Sequence, residues 1–172
     1  MEELLFQLYN RVTFVHIAVP VLALITGKRF GSFLLTSFII AAFDGYMNHL
    51  SPELLVIARG GAVPPELPHY PLYWYGTWVI IDMMAIVSIR YGHKLIQEKL
   101  GFLAKAYMLG LLCMIALQIV GYVDSVFFHK TDTITLIYSV GINAINIAIA
   151  LLMIWQYIIL TVKETFRWQA SS

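Results

Sequence analysis

The stretch from Phe38 to Leu50 constrains the fold most strongly, because it is apolar enough to lie in a membrane yet contains Asp44, Asn48 and His49. A charged or amide side chain is costly in lipid and is tolerated where it faces the interior of a helical bundle. Other apolar stretches contain polar residues of the same kind, namely Arg11, His16, Asp82, Asp124, Asn143 and Asn146. The pattern therefore predicts a bundle of membrane-spanning helices with a polar interior.

The composition agrees with a membrane location. Of the 172 residues, 60% are hydrophobic and only 12% are charged, which lies outside the usual balance of soluble domains. The formal net charge of +1 provides no overall attraction for nucleic acid, so we expect the lipid bilayer, and no nucleic acid, as a partner. A single cysteine, Cys113, excludes an intramolecular disulfide and a metal site built from several cysteines.

Apolar windows of about 20 residues predict membrane spans. We expect an all-α fold, a single domain over residues 1–172, in which a polytopic bundle has five spans. The spans are Leu4 to Thr26, Phe30 to Leu50, Leu72 to Ile89, Leu103 to Phe128 and Thr133 to Val162. The first is expected to be retained rather than cleaved as a signal peptide, since Arg11 lies inside it. An alternative treats the second span as a re-entrant segment, because Asp44 shortens its apolar part.

The distribution of basic residues predicts the orientation. Eight of them flank the ends of the spans that would meet on one side of the membrane, namely Lys28, Arg29, Arg90, Lys94, Lys99, Lys105, Lys163 and Arg167. Only Arg59 and Lys130 lie in loops on the other side. The positive-inside rule therefore predicts an N-terminus outside and a C-terminus in the cytoplasm. The compact spans and short termini favour the inner (plasma) membrane of a bacterium.

Residues 51–71 are expected to form a cap outside the membrane. Ser51 is a suitable N-cap and Pro52 suits the first position of a short helix that would end at Arg59. The following segment VPPELPHYP lacks the donors for regular structure because of its prolines. The aromatic residues after it are typical of the head-group region of a bilayer.

The predicted depths gather the polar residues into one layer in the outer half of the bundle. Counting 1.5 Å per residue places His16 and Asp82 close to the midplane. At or just outward of it lie Asp44, Asn48, Asn143 and Asn146, and farther outward lie Arg11 and Asp124. We predict that these eight residues form a binding site. By depth alone, His16 is expected to pair with Asp82, and Arg11 with Asp44 or Asp124.

A structural interpretation applies to part of this layer. Ser139, Asn143, Asn146 and Ala150 share one face of the fifth span, because they are separated by four, three and four residues. Small and amide residues at this spacing favour close helix packing as well as ligand binding.

Three classes of function fit the pattern. The first is a proton- or cation-linked component of a transporter or channel, because ionisable groups at the midplane serve such coupling. The second is a non-catalytic assembly subunit of a larger membrane complex. Both functions imply a homo-oligomer or a partner membrane subunit, because five spans are few for a transporter that acts alone.

The third class is a membrane enzyme with haem or metal. His49 and His129 are the only histidines at matched depth that could ligate haem. Interfacial hydrogen bonding to lipid or loop carbonyls is the favoured interpretation of both. The sequence contains no nucleophile pattern, glycine-rich phosphate loop or HExxH motif. It therefore favours a role without catalysis and identifies no cofactor.

Overall fold

A computed structural model describes the backbone of residues 2–27, 31–58, 70–128 and 131–169. Side chains are described over residues 11–27, 31–54, 71–128 and 131–163, and at Phe166. Within these ranges the chain is all-α, without strands, which confirms the predicted class. Its five helices are α1 (Glu2–Ile25), α2 (Ser32–Ala58), α3 (Tyr70–Leu95), α4 (Phe102–Phe127) and α5 (Asp132–Gln169).

The helices form a closed ring in chain order. Each helix packs against the next one, α1 also packs against α5, and α2 contacts α4 across the centre. Two connections, from α1 to α2 and from α3 to α4, turn the chain at the same end of the bundle, which we call the hairpin end. The other end, where α5 begins, is called the opposite end.

Three helical segments are long and apolar enough to cross a bilayer, namely Pro71–Leu95, Phe102–Phe127 and Asp132–Lys163. The apolar segment Arg11–Ile25 is shorter. In the most apolar window of each long segment, the fraction of residues that is buried is only 28%, 28% and 22%, respectively. Most of the apolar side chains in these windows are therefore at least partly exposed on the outside of the bundle. A continuous apolar exterior of this kind suits contact with lipid rather than with water. The structure is therefore consistent with a membrane protein.

Apolar side chains fill the bundle in two clusters. The larger one occupies the hairpin half, where Ile40, Ile89 and Met153 are completely buried. The smaller one lies between α2 and α3 toward the opposite end and is built on Leu54, Trp78 and Ile81. The hairpin half is therefore closed by a packed apolar core.

The second helix is longer than the sequence predicts. α2 continues through Ser51 and Pro52 to Ala58, so the predicted cap at Ser51 and the separate helix after it are wrong. The Ser51 hydroxyl donates instead to the Met47 carbonyl at 2.8 Å. Because Pro52 has no N–H, the Asn48 carbonyl four residues earlier does not receive its helical hydrogen bond. The rest of the predicted cap, residues 59–69, lies outside the described residues.

The third helix continues beyond its predicted span. The span was predicted to end at Ile89, whereas α3 ends at Leu95. Gln97 adopts a left-handed conformation with φ of 55°, and the Glu98 amide donates to the His93 carbonyl at 3.0 Å. This arrangement is a Schellman motif, which satisfies carbonyl groups at the helix end and turns the chain into α4.

Gly121 allows Tyr75 of α3 to pack directly against the backbone of α4. A Cβ atom at this position would lie 2.7 Å from Tyr75 Cε1. The Tyr75 ring has little room to move, because it packs edge-on against Tyr122 and Tyr138 and its hydroxyl lies 3.2 Å from Ser125 Oγ. The glycine is therefore required for this contact.

We expect Gly121→Ala to lower the free energy of unfolding by about 1–3 kcal/mol, the usual cost of overpacking. Gly45→Ala is the matched control, because no atom lies within 4 Å of the added Cβ. That variant is expected to be stabilised by up to about 1 kcal/mol through helix propensity. Equal melting temperatures of the two variants in detergent would contradict the packing described here.

Candidate functional site

A buried pair of ionisable side chains joins α1 to α2. His16 Nδ1 lies 2.9 Å from Asp44 Oδ2, and the two residues are 1% and 5% exposed. This hydrogen bond holds one proton between the two side chains. The prediction that His16 pairs with Asp82 is therefore wrong, and the pair in the structure joins neighbouring helices of the ring.

Asp82 is buried without a hydrogen-bond partner. It is 1% exposed, and neither carboxylate oxygen has a partner among the described residues. It lies between the two apolar clusters, because Ile81 belongs to one and Ala85 to the other. An ionised carboxylate costs several kcal/mol in such surroundings unless a donor or cation satisfies it. Asp82 is thus the group in this bundle that most requires a partner.

Contacts between α2 and α3 place Asp82 near the level of Asp44. Gly92 packs against Leu35 and Ile39. Asp82 precedes Gly92 by ten residues, or about 15 Å along α3. A distance of 15 Å along α2, measured from the midpoint of Leu35 and Ile39 toward the opposite end, reaches a position within about one turn of Asp44. The two carboxylates therefore lie at a similar depth.

A contact between α1 and α5 sets the level of the asparagines. The hydroxyls of Thr26 and Tyr157 lie 3.4 Å apart. Ten residues before each of them are His16 and Ile147, so Asn146 lies near the level of His16 and is buried. Asn143 is half-buried one turn farther along and donates from Nδ2 to the Ser139 carbonyl at 2.8 Å. These contacts place His16, Asp44, Asp82 and Asn146 at similar levels, with Asn143 about one turn farther along α5.

Several polar atoms in this interior have no partner among the described residues. They include His16 Nε2 and the hydroxyls of Thr13 and Ser37, all on residues at most 4% exposed. Thr13 and His16 lie one turn apart on the buried face of α1. The interior therefore offers hydrogen-bonding capacity beyond the His16–Asp44 pair.

Two tyrosines flank the level of the carboxylates. Tyr107 is buried and lies within electrostatic range of both Asp44 and Asp82. Tyr138 lies within such range of Asp82, and its hydroxyl donates to Gln118 Oε1 at 2.8 Å. Nothing in the sequence distinguishes either tyrosine as a site residue, because a tyrosine in a span can equally be a packing residue.

Asp124 has a structural role at the opposite end of the bundle. Its two carboxylate oxygens accept hydrogen bonds from the Thr131 backbone N–H and the Thr131 hydroxyl, each at 2.8 Å. Thr131 lies directly before α5, so Asp124 fastens the end of α4 to the start of α5. Its predicted pairing with Arg11 is wrong.

The remaining candidates are not assembled into the layer. Arg11 and His49 are exposed and Asn48 is half-buried, while His129 lies outside the described residues. Within the described ranges Arg11 forms no ion pair, since the single ion pair found there joins His16 to Asp44. Among the same residues, no three His, Cys, Asp or Glu side chains lie close enough together to hold a metal ion.

A second polar group lies in the hairpin half, where the sequence predicts a nearly apolar interior. Ser37 and Thr36 are completely buried and His93 is 2% exposed. The helical spacing indicates that His93 is buried, because it lies on the same face as Asp82, Ala85 and Ile89, at intervals of three, four and four residues. The neighbouring basic residues are exposed, which made His93 look like part of a solvent-exposed helix end.

Comparison with protein families, with curated proteins and with solved structures finds no match to this chain.

Proposed function

We propose that the protein crosses the membrane five times and binds a proton, or a small monovalent cation in its place, at Asp82 as a transport or channel component. The single observation that carries this proposal is the buried Asp82 carboxylate, which has no hydrogen-bond partner in the part of the chain that the structure describes. A bound proton or cation removes the cost of the buried charge. A site that is stable only when occupied is what coupled transport requires.

The number of spans follows from packing. α1 and α2 contain 24 and 27 residues, or roughly 36 and 40 Å, which exceeds the thickness of the hydrocarbon core. Both pack side by side with helices that are apolar enough to cross a bilayer. Helices in lateral contact share the same slab of lipid, so we place all five across it.

The orientation follows from the basic residues. Arg90, Lys94 and Lys99 lie at the hairpin end, near the turn from α3 to α4. We therefore place this end in the cytoplasm by the positive-inside rule, in the inner membrane of a bacterium as the sequence favours.

The direction of access follows from the two halves of the interior. The packed apolar core of the hairpin half separates Asp82 from the proposed cytoplasmic side. The buried polar residues of the predicted layer, such as Asn146 and Asp124, lie from the level of Asp82 toward the opposite end. We infer that Asp82 exchanges its proton or cation with the outer side in this conformation. Access to the cytoplasm requires rearrangement of the core around Ile89 and Met153.

His16 and Asp44 provide a second place for a proton at the same depth. Their hydrogen bond already holds one proton. Tyr107 is buried and lies within electrostatic range of both carboxylates. We assign the pair the role of tuning the charge near Asp82.

Liposomes that contain the purified protein and an internal pH-sensitive dye test the proposal. With an imposed pH gradient and valinomycin to balance charge, we expect the protein to accelerate internal acidification over empty liposomes. The proposed function would be contradicted if the protein changed neither the rate of proton uptake nor that of any monovalent cation tested, with the gradient imposed in either direction.

A homo-oligomer or a partner subunit is proposed because five spans are few for a transporter that acts alone, and apolar side chains fill the hairpin half of this bundle. We expect native mass spectrometry after gentle extraction to record a multiple of the chain mass of 19.5 kDa. An added second polypeptide would favour the assembly subunit instead. A bound haem or metal would favour the membrane enzyme.

A further inference from the structure

A buried histidine at the hairpin end connects three helices. His93 lies in the last turn of α3, and its Nδ1 is 2.8 Å from the Ile89 carbonyl oxygen. Its Nε2 is 2.8 Å from the hydroxyl of Ser32, the first residue of α2. The same hydroxyl is 2.8 Å from the backbone nitrogen of Gly101, which directly precedes α4. One imidazole and one hydroxyl thus join the ends of α2, α3 and α4.

The chemistry of these groups determines the direction of each hydrogen bond. A carbonyl oxygen only accepts, so His93 Nδ1 carries a hydrogen and donates to Ile89. A backbone N–H only donates, so Ser32 Oγ accepts from Gly101. The Ser32 hydroxyl hydrogen then donates to the lone pair on His93 Nε2. All donors and acceptors are matched when His93 is neutral and its hydrogen is on Nδ1.

We propose that His93 is a proton-controlled latch that holds the hairpin ends of α2, α3 and α4 together while it is neutral. A second proton would occupy Nε2 and turn this acceptor into a donor. Ser32 Oγ would then accept from both His93 and Gly101, and its own hydrogen would lose its acceptor. Protonation therefore leaves the Ser32 hydroxyl hydrogen without its acceptor and places a positive charge on a residue that is 2% exposed. Both effects raise the free energy of the closed arrangement relative to an open one in which His93 reaches solvent.

The charged residues around the latch do not supply a buried counter-ion. On the described elements that meet there, the charged side chains are all exposed: Arg90, Lys94, Glu98, Lys99 and Lys105. Residues 32–43 of α2 contain no titratable group. Glu98 is the one acid among them, and its Oε1 lies 3.9 Å from the position that a Cβ of Gly31 would occupy. A protonated His93 is thus flanked mainly by basic residues, which favours opening.

The close fit at Gly101 makes the latch sensitive to small movements. A Cβ atom at Gly101 would lie 2.6 Å from Ser32 Oγ. The hydroxyl therefore reaches the backbone only because position 101 has no side chain. The latch and Asp82 lie at opposite ends of the larger apolar cluster. The latch proposal therefore does not depend on the proposed function.

Hydrogen exchange of the full chain in lipid nanodiscs tests the latch. We expect protection of the segment from residue 96 to 104 to be about tenfold lower at pH 5 than at pH 8, after correction for intrinsic rates, which matches the loss of one hydrogen bond. His93→Gln offers Ser32 an uncharged acceptor, so its protection is expected to be equal at both values. Ser32→Ala is expected to reduce protection at both.

His49→Gln is the matched control, because His49 is an exposed histidine on α2, and it should keep the wild-type change. An acid-induced loss that persists in His93→Gln, or equal wild-type protection at both pH values, would overturn the latch. Nitrogen NMR of labelled histidine provides an independent test, in which we expect the Nδ1–H form of His93 at pH 8. The Nε2–H form or a charged ring at that pH would also overturn it.

Discussion

Asp82→Asn is expected to abolish the pH dependence of proton or cation uptake into protein-containing liposomes while the protein still folds. The substitution keeps the shape of the side chain and removes its ability to gain and lose a proton. Because both carboxylate oxygens lack partners, the variant loses no hydrogen bond with a described residue. Its melting temperature in detergent is therefore expected to equal or exceed that of the wild type.

Asp82→Leu separates function from stability further. It replaces an unsatisfied buried carboxyl by an apolar group of similar size between two apolar clusters. Removal of an unsatisfied polar group is expected to raise the free energy of unfolding by about 1–3 kcal/mol. Uptake should be lost in this variant as well, so stability and activity would change in opposite directions.

Asp124→Asn is the matched control for Asp82→Asn. Both residues are buried aspartates, at 5% and 1% exposure, but the Asp124 carboxylate accepts two hydrogen bonds from Thr131. We expect Asp124→Asn to lose about 1–3 kcal/mol of stability and to keep the pH dependence. If Asp82→Asn retained the wild-type pH response, the proton-binding role of Asp82 would be wrong.

Removal of either partner of the His16–Asp44 pair is expected to destabilise the bundle by about 3 kcal/mol, because the hydrogen bond between two buried ionisable groups is then lost. The pair is 2.9 Å apart and both residues are at most 5% exposed, so solvent does not replace the lost contact. Unfolding of His16→Ala, Asp44→Ala and the double variant in a denaturing detergent measures the effect.

The double variant isolates the interaction itself. We expect its loss of stability to be smaller than the sum of the two single losses by about 1–3 kcal/mol, since both partners are removed together. Ser37→Ala is the control, because Ser37 is buried on α2 with an unpartnered hydroxyl and should change stability by less than about 1 kcal/mol. If the loss in the double variant equalled the sum of the two single losses, the interaction between His16 and Asp44 would contribute nothing to stability.

Helix positions were largely predictable from the sequence, and the exceptions have physical reasons. An apolar run of about 20 residues has few alternatives to a helix in a bilayer. The break predicted at Pro52 does not occur, and α2 continues through it to Ala58, since a proline removes only one hydrogen bond from a long membrane helix. The end of α3 depends on the left-handed conformation of Gln97, for which the sequence contains no glycine as a signal.

The roles of individual polar residues were less predictable than their depths. Asp124 was predicted to belong to the binding layer, whereas its oxygens accept hydrogen bonds from Thr131, only seven residues along the chain. His93 was overlooked, although its neighbours Ser32 and Gly101 complete the most fully connected polar group that the structure describes.

The sequence by itself determined the helical class and the common level of His16, Asp44 and Asp82. These follow from counting, because each residue in a helix adds a constant rise along one axis. Only the tertiary structure decided which side chains meet at that level. The rotation of each helix and its place in the ring result from the packing of whole apolar faces. That packing turned Asp44 rather than Asp82 toward His16, and it left the Asp82 carboxylate without a partner among the described residues.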